Sequence, residues 1–150
     1  MPAGVRGRIF VAGPLQFAGY TGGGTKSVVA GLMETGDVGR LDADGRLFVT
    51  GRQDDMIVSG GENVFPGEVE DLLARHPAIL EAAVVGVADA QFGQRLLAVV
   101  VRRPGRSLTQ REVRDHVGTN LARYKVPRDV VFVDALPRNA AGKVLRSALG

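Results

Sequence analysis

The sequence predicts an α+β fold: a small domain over residues 54–150, with a mostly antiparallel sheet flanked by helices, preceded by a β-rich segment over residues 1–53. After residue 55 the pattern runs helix, strand, strand, helix, strand, the order typical of a small α+β domain. Before that point, glycines separate short apolar stretches, which is typical of strands joined by turns. A chain of 150 residues, 45% of them hydrophobic, is also long enough to bury a core.

The β-rich segment contains two short predicted strands, over residues 8–11 and 46–49. Residues 42–45 (Asp-Ala-Asp-Gly) predict a hairpin turn in which Gly45 takes a positive φ. The apolar residues of this segment show too little periodicity to form a core of their own. We therefore expect it to belong to a larger β structure.

The first helix is predicted to begin at Pro66, which suits the first helical position. Val69, Leu72 and Leu73 then have the spacing of one helical face. Residues 76–77 (His-Pro) end the helix, because the residue before a proline disfavours helical backbone.

Two β-rich runs follow, over residues 79–87 and 96–101. The second is almost continuously apolar, so we expect it to lie centrally in a sheet. A further short strand is predicted over residues 130–133.

The second helix carries a complete set of start signals. Thr109 is the predicted N-cap, and Glu112 completes a capping box with it. Leu108 and Val113 have the spacing of a hydrophobic staple, and Pro127 is expected to end the helix. The buried stripe is predicted to consist of Val113, Val117 and Leu121.

Composition excludes several classes of protein and site. The chain has no cysteine, so disulfides and thiolate sites are excluded and a reducing, cytoplasmic location is expected. Its two histidines lack ligand spacing, and we expect no metal site. The net charge is +3, but acids are interspersed among the basic residues, so no nucleic-acid partner is expected. No apolar run approaches the ~20 residues of a membrane span, and the N-terminus lacks a secretory pattern.

Two glycine-containing segments in the first third are candidates for nucleotide contact. Residues 19–27 (GYTGGGTKS) resemble a phosphate-binding P-loop, but Thr25 separates the lysine from the preceding glycine, so a surface loop is favoured. Residues 35–37 (Thr-Gly-Asp) place the Asp37 carboxylate after a predicted turn, where it could accept hydrogen bonds from a ribose diol. An ordinary turn has the same sequence.

Three later segments carry further candidates, each with a plain structural alternative. Arg52, after a strand, could contact a phosphate or ribose. Gly60 and Gly61 permit close approach of backbone to a ligand before a helix N-terminus, although a tight β turn is equally compatible. Lys143 is expected on a mobile, lightly packed loop from which it could reach an anion, although a surface lysine is the commoner case.

The order of these segments is more specific than any one of them. Three segments resemble motifs of the adenylate-forming superfamily, in the same order and at approximately the same spacing. They are residues 35–37 (TGD), residues 51–70 (GRQDDMIVSGGENVFPGEVE) and residues 137–146 (PRNAAGKVLR). The sequence resembles the C-terminal part of that family's acyl-CoA and aryl-CoA ligases, and the resemblance covers essentially the whole chain. It implies that residues 1–53 end a large N-terminal domain and that residues 54–150 are the mobile small domain.

The resemblance also implies a reaction and its co-substrates. In the family, ATP with Mg²⁺ and a carboxylic acid form an acyl-adenylate, and CoA then displaces AMP. Because the ATP and acid sites lie mainly in the N-terminal domain, we expect this chain to need that domain as its partner and to be inactive alone. Exposed strand edges would also allow a homodimer.

Roles for single residues follow from the same resemblance. It implies that Asp37 holds the ribose, that Arg52 contacts the nucleotide, that Asp54 is the hinge between the domains and that Lys143 is the catalytic lysine of adenylation. Gly60 and Gly61 would line the pantetheine tunnel during thioester formation.

A contact with the CoA nucleotide is implied for the segment over residues 124–128. Tyr124 could stack on adenine and Arg128 could bind phosphate. Val126 departs from relatives that have a basic residue at that position, and a buried aromatic at a helix end is the alternative for Tyr124.

The expected activity is that of an AMP-forming acid–thiol ligase, with a fatty acid as the first expectation for the substrate. One alternative is an aryl-CoA ligase or an enzyme that delivers the acyl group to a carrier protein. A basic binding module without enzymatic activity is the alternative outside the enzyme class.

Overall fold

The computed structural model describes residues 2–13 and 27–150, and the chain forms two compact units, Met1–Asp54 and Asp55–Gly150. In the first unit, β3 (Leu32–Leu41) is the strand with which the other three pair. It pairs antiparallel with β1 (Arg6–Val11), β2 (Val28–Val29) and β4 (Leu47–Arg52). The predicted turn between β3 and β4 is confirmed: Gly45 has φ +80°, and the Asp42 carboxylate accepts hydrogen bonds from two backbone N–H groups of the turn.

The first unit buries no hydrophobic side chain within the ranges that the structure describes. Eight of its large apolar side chains are instead exposed: Val5, Val11, Val28, Val29, Leu32, Leu47, Phe48 and Val49. For residues 2–13 and 27–53, this confirms the prediction that the segment has no core of its own.

The second unit contains a five-stranded sheet with β8 (Gly93–Arg102) in the middle, as predicted. β7 (Ile79–Asp89) pairs antiparallel with β8 along its whole length, and β9 (Asp129–Val133) pairs parallel on the other side. Two short strands that the sequence pattern did not predict, β5 (Ile57–Ser59) and β6 (Glu62–Val64), form a hairpin at the start of β8. The sheet is thus mostly antiparallel, and the α+β prediction is confirmed.

The two helices, α1 (Pro66–Ala74) and α2 (Gln110–Asn120), contribute to one core with alternate residues of β7 and β8. Its members include Val69, Leu73, Ile79, Val84, Leu96, Ala98, Val100, Val113 and Val117. The intervening strand residues form a second, smaller cluster with Leu136 and half-buried side chains of the C-terminal segment. Because side chains alternate across a strand, the helices and the C-terminal segment lie on opposite faces of the sheet.

The capping box of α2 is present: Glu112 N–H donates to the Thr109 hydroxyl, and Thr109 N–H donates to the Glu112 carboxylate. The expectation that α2 runs to Pro127 is wrong. The helix ends at Asn120, and a 3₁₀ turn over Arg123–Lys125 follows. Thr119 and Asn120 hydrogen-bond through their side chains to carbonyls four residues earlier, a local competition that weakens a helix end.

Neither helix in the described ranges is long and apolar enough to cross a membrane.

Candidate functional site

In the first unit, the structure brings Asp37 and Arg52 together on adjacent strands. They are directly paired in the β3–β4 register, and Arg52 Nη1 lies 3.6 Å from Asp37 Oδ1. Both side chains remain accessible, at 33% exposure for Asp37 and 50% for Arg52. The pair therefore offers one carboxylate and one guanidinium to a ligand at the same place.

Asp37 lies within strand β3, at a local distortion of its pairing, rather than after a turn as we expected. The Thr35 hydroxyl donates to Ile9 O (3.0 Å) and accepts from Asp37 N–H (3.1 Å). Gly36 has φ +83°, and a Cβ at this position would lie 3.0 Å from Arg52 Nη2. Only glycine satisfies both conditions without displacing the arginine.

Asp54 is the last residue of the first unit, and the boundary between the two compact units falls between it and Asp55. Its carboxylate is 82% exposed and lies 3.5 Å from Arg52 Nη2.

Gly60 and Gly61 form the two-residue loop of the β5–β6 hairpin, with φ of +59° and +83°. Positive φ at both positions is the geometry of a type I′ turn, which strongly favours glycine. A Cβ on Gly60 would lie 3.3 Å from the Phe92 ring, whereas one on Gly61 would meet no atom within 4 Å. A tight turn explains both glycines. At Gly61, no atom within 4 Å of the Cβ position covers the backbone.

A cleft of about 1400 Å³ in the second unit brings three of the predicted binding residues together: Gly60, Tyr124 and Arg128. Between them the walls include Ser59, Phe92, Arg95, Arg111, Arg114, Gly118, Arg123 and Val126. The cleft therefore joins the β5–β6 turn, the start of β8, one face of α2 and the 3₁₀ turn. Neither Gly61 nor Lys143 lines it.

The arginines that line the cleft differ in whether they already have a partner. Arg95 Nε lies 2.6 Å from Asp129 Oδ2, and Arg111 Nε lies 3.5 Å from Asp115 Oδ2. In the part of the chain that the structure describes, Arg114 and Arg123 form no ion pair. They are the cleft arginines without a paired carboxylate, and the Glu62 carboxylate also lines the cleft.

Arg128 is less free to bind phosphate than the sequence suggested. Its Nη1 lies 3.6 Å from Asp89 Oδ2, and its guanidinium lies 4.9 Å from the centre of the Phe92 ring. Backbone N–H groups of Phe92 and Gln91, with smaller contributions from nearby arginines, hold the pKa of Asp89 below its usual value. This carboxylate is therefore a charged partner for Arg128 at neutral pH.

Tyr124 is 42% exposed on the cleft, so it is not the buried helix-end aromatic of the structural alternative. The buried residue is its neighbour Lys125, at 7% exposure, whose Nζ lies 2.6 Å from Glu68 Oε2. Sequence reasoning missed this pair, which joins residues 57 positions apart.

Lys143 lies on a hydrogen-bonded turn, and residues 138–143 are all exposed, in agreement with the expectation of a lightly packed loop. The Asn139 side chain accepts hydrogen bonds from Ala141 N–H (3.0 Å) and Lys143 N–H (2.9 Å), while Asn139 N–H donates to Lys143 O (2.9 Å). Arg138 and Val144 form an antiparallel bridge that closes the turn. Lys143 itself is exposed, and its ammonium makes no ion pair with any residue of the described ranges.

Ion pairs tie one side of this turn to the sheet and the other side to helix α1. Arg138 pairs with Glu81 of β7 on one side. On the other side, Arg146 makes a two-pronged contact with Glu70 of α1, at 2.6 and 2.9 Å. The Glu70 hydrogen bond raises the pKa of Arg146 above its usual value, so the guanidinium stays charged. Glu70 and Arg146 were not predicted as functional residues. Glu70 is nevertheless the last residue of the motif over residues 51–70, and Arg146 is the last residue of the motif over residues 137–146.

The two histidines, whose spacing does not suit a pair of metal ligands, lie together with ring centres 4.9 Å apart. Burial, followed by the neighbouring His116, lowers the pKa of His76. No group of three potential metal-ligating side chains occurs among the residues that the structure describes.

The P-loop-like segment over residues 19–27 lies outside the described residues except for Ser27.

Comparisons with known proteins place these features in a family. Residues 68–143 match the family model of the AMP-binding enzyme C-terminal domain. The chain is 43% identical over 146 residues to a 2-succinylbenzoate–CoA ligase of Geobacillus sp. (strain WCH70), covering 95% of this chain and 30% of that protein. It is 44% identical over 144 residues to an indoleacetate–CoA ligase of Aromatoleum aromaticum, covering 94% and 28%.

The fold agrees with these sequence matches. The structure of o-succinylbenzoate CoA synthetase from Bacillus subtilis, in complex with an acyl-adenylate intermediate, superposes with a TM-score of 0.90 at 38% identity. The superposition covers 99% of this chain and 31% of that one. The chain thus spans about 30% of the length of the curated relatives named here. Because the family match extends over half of its residues, the protein belongs to the AMP-binding enzyme C-terminal domain family.

Proposed function

We propose that the chain is the C-terminal part of an ATP-dependent, AMP-forming carboxylate–CoA ligase. The observation that carries the proposal is its 43% identity, over 95% of its length, to a 2-succinylbenzoate–CoA ligase. In this proposal, residues 1–53 end the large N-terminal domain and residues 54–150 are the small domain that moves over it. Asp54, exposed at the boundary between the compact units, is the proposed hinge.

The reaction has two steps. In the first, a carboxylate oxygen attacks the α-phosphorus of ATP, delivered with Mg²⁺, and the bond to pyrophosphate breaks. In the second, the CoA sulfur attacks the acyl carbon, the thiol proton is released, and AMP leaves with the electron pair of the broken C–O bond. Negative charge gathers on the α-phosphoryl group in the first step, so a cation placed there stabilises the transition state.

The first step assigns roles to three charged residues of the chain. Lys143, exposed on a hydrogen-bonded turn and without an ion pair in the described ranges, is the proposed cation for the α-phosphate and carboxylate oxygens. Asp37 is proposed to accept hydrogen bonds from the ribose hydroxyls, and Arg52 beside it to contact the same nucleotide. Their partial exposure leaves both groups accessible to a ligand.

For the acid substrate, the relatives favour the aromatic alternative over the fatty acid that we expected first. Both of the curated relatives named above carry an aromatic acid in their names, 2-succinylbenzoate and indoleacetate. We therefore propose an aromatic carboxylic acid.

The proposal is tested with the complete enzyme, in which the upstream domain precedes this chain. We expect ATP-dependent release of pyrophosphate with 2-succinylbenzoate or indoleacetate, and slower release with hexadecanoate. A thioester is expected only when CoA is added. Faster turnover of hexadecanoate would restore the fatty-acid expectation. Pyrophosphate release without CoA-dependent product would favour delivery to a carrier protein. Salt-sensitive nucleic-acid binding without pyrophosphate release would favour the binding module.

The cleft of the second unit is the proposed site for the nucleotide part of CoA. The exposed ring of Tyr124 offers a stacking surface for adenine. The phosphates of CoA are proposed to bind Arg114 and Arg123, whose guanidinium groups have no paired carboxylate in the described ranges. Arg128 is already paired with Asp89. This arrangement would compensate for Val126, which stands where some relatives have a basic residue.

Replacing both free arginines by glutamine (Arg114→Gln, Arg123→Gln) is expected to raise the KM for CoA about tenfold or more, because two charge-assisted hydrogen bonds are lost. The KM for ATP should stay unchanged. Steady-state kinetics of the complete enzyme provide the measurement, and Arg106→Gln, an exposed arginine outside the cleft, is the matched control. An equal rise in the control would show a general charge effect instead of a site.

A further inference from the structure

The Glu70 carboxylate lies at the centre of a hydrogen-bond network that joins three segments distant in sequence. Its Oε1 accepts from Val84 N–H of β7 (2.8 Å) and from Arg146 Nη1 (2.6 Å), and its Oε2 accepts from Arg146 Nη2 (2.9 Å). Arg146 Nη1 also donates to Val84 O (2.8 Å). A helix, the sheet and the C-terminal segment thus meet at one carboxylate.

Arg146 is only three residues beyond Lys143, so the network holds one side of the lysine turn. The chain between them is itself constrained, because Leu145 N–H donates to Pro137 O (2.8 Å) across the turn. The backbone of Lys143 is also hydrogen-bonded to Asn139, so both ends of the stretch from Lys143 to Arg146 are held.

The other side of the turn is held more weakly. Arg138 pairs with Glu81, and it donates through Nη1 to Gly142 O (2.9 Å) within the turn. That pair is more accessible, at 41% exposure for Arg138 and 35% for Glu81, against 34% for Arg146 and 18% for Glu70. Solvent screens the Arg138 pair more, so the Glu70 network is the firmer of the two attachments.

We propose that Glu70 and Arg146 are positioning residues for adenylation: their network fixes the turn that presents Lys143 to the α-phosphate. The inference rests on the role proposed for Lys143. The geometry supports positioning because a planar guanidinium held by both carboxylate oxygens has a defined orientation, which a single-point contact lacks.

The test uses Glu70→Gln in the complete enzyme. Glutamine retains an acceptor oxygen for Val84 N–H but loses the charge and one of the two acceptors for Arg146. The kcat of pyrophosphate release is expected to fall about 10- to 100-fold, because small displacements of a catalytic group have effects of that size. The KM for ATP and thioester formation from pre-made acyl-adenylate are expected to stay near wild type. Arg146→Lys, which keeps the charge but not the planar fork, should give a smaller loss of the same kind.

Asp71→Asn is the matched control, since it removes an exposed carboxylate from the next position of the same helix. Equal losses in both half-reactions of Glu70→Gln would show a merely structural role and overturn the assignment. If Lys143→Ala loses adenylation while Glu70→Gln adenylates at the wild-type rate, only this inference is overturned. Unchanged adenylation in Lys143→Ala would overturn the role of Lys143 and, with it, the positioning assignment.

Discussion

Replacing Lys143 by alanine in the complete enzyme is expected to lower the rate of pyrophosphate release by roughly two to three decades. Thioester formation from pre-made acyl-adenylate and CoA should continue at close to the wild-type rate. The reason is that negative charge accumulates at the α-phosphoryl group only in the first step, so a cation presented to that group stabilises only the first transition state.

The two half-reactions are measured separately, with pyrophosphate release from ATP and acid in one assay and acyl-CoA formation in the other. Arg103→Ala serves as the control, because it removes an exposed cation from a loop outside the turn and the cleft. Equal loss of both half-reactions in Lys143→Ala would point to damage of the fold. Intact pyrophosphate release would show that Lys143 is a surface lysine without a role in adenylation.

The largest expected effect on stability is that of Leu73→Ala, which should lower the free energy of unfolding by about 2–5 kcal/mol. Leu73 is fully buried in α1, in the core cluster that α1 and α2 form with the sheet. Truncation removes apolar contacts with that cluster and leaves a cavity, because the surrounding strands and helices can close only part of the space.

Urea denaturation followed by far-ultraviolet circular dichroism measures the change. Leu80→Ala is the matched control, since Leu80 is 47% exposed on β7 and its truncation should change the free energy of unfolding by much less. Similar losses in the two variants would contradict the assignment of Leu73 to the centre of the core.

Local features of the fold could be predicted because they depend on neighbouring residues. Thr109 and Glu112 form their capping box within one helical turn, and Gly45 supplies the positive φ of a turn closed within four residues. The apolar run of β8 predicted its central place in the sheet, since a strand covered on both faces has no polar alternation. The end of α2 was mispredicted because side-chain hydrogen bonds of Thr119 and Asn120 compete with the helix before Pro127 is reached.

The candidate site followed only partly from the sequence. The order of the motifs predicted candidate residues in separate segments, among them Asp37, Arg52 and Lys143, and their roles stay predictions. It did not show that Arg128 is engaged by Asp89, nor that Arg114 and Arg123 are the cations left without an ion pair in the described cleft. Which arginine is free depends on the carboxylates packed beside it, and those come from other segments.

The sequence by itself determined the α+β class, both helices with their starts, the central strand and the family to which the chain is similar. Tertiary structure decided the pairing of Asp37 with Arg52, the cleft that contains Tyr124, and the contact of Glu70 with Arg146 across 76 positions. Helix caps, turns and apolar periodicity are set by interactions over a few residues. Contacts between distant side chains depend on strand register and on how helices pack on the sheet, which no short stretch of sequence specifies.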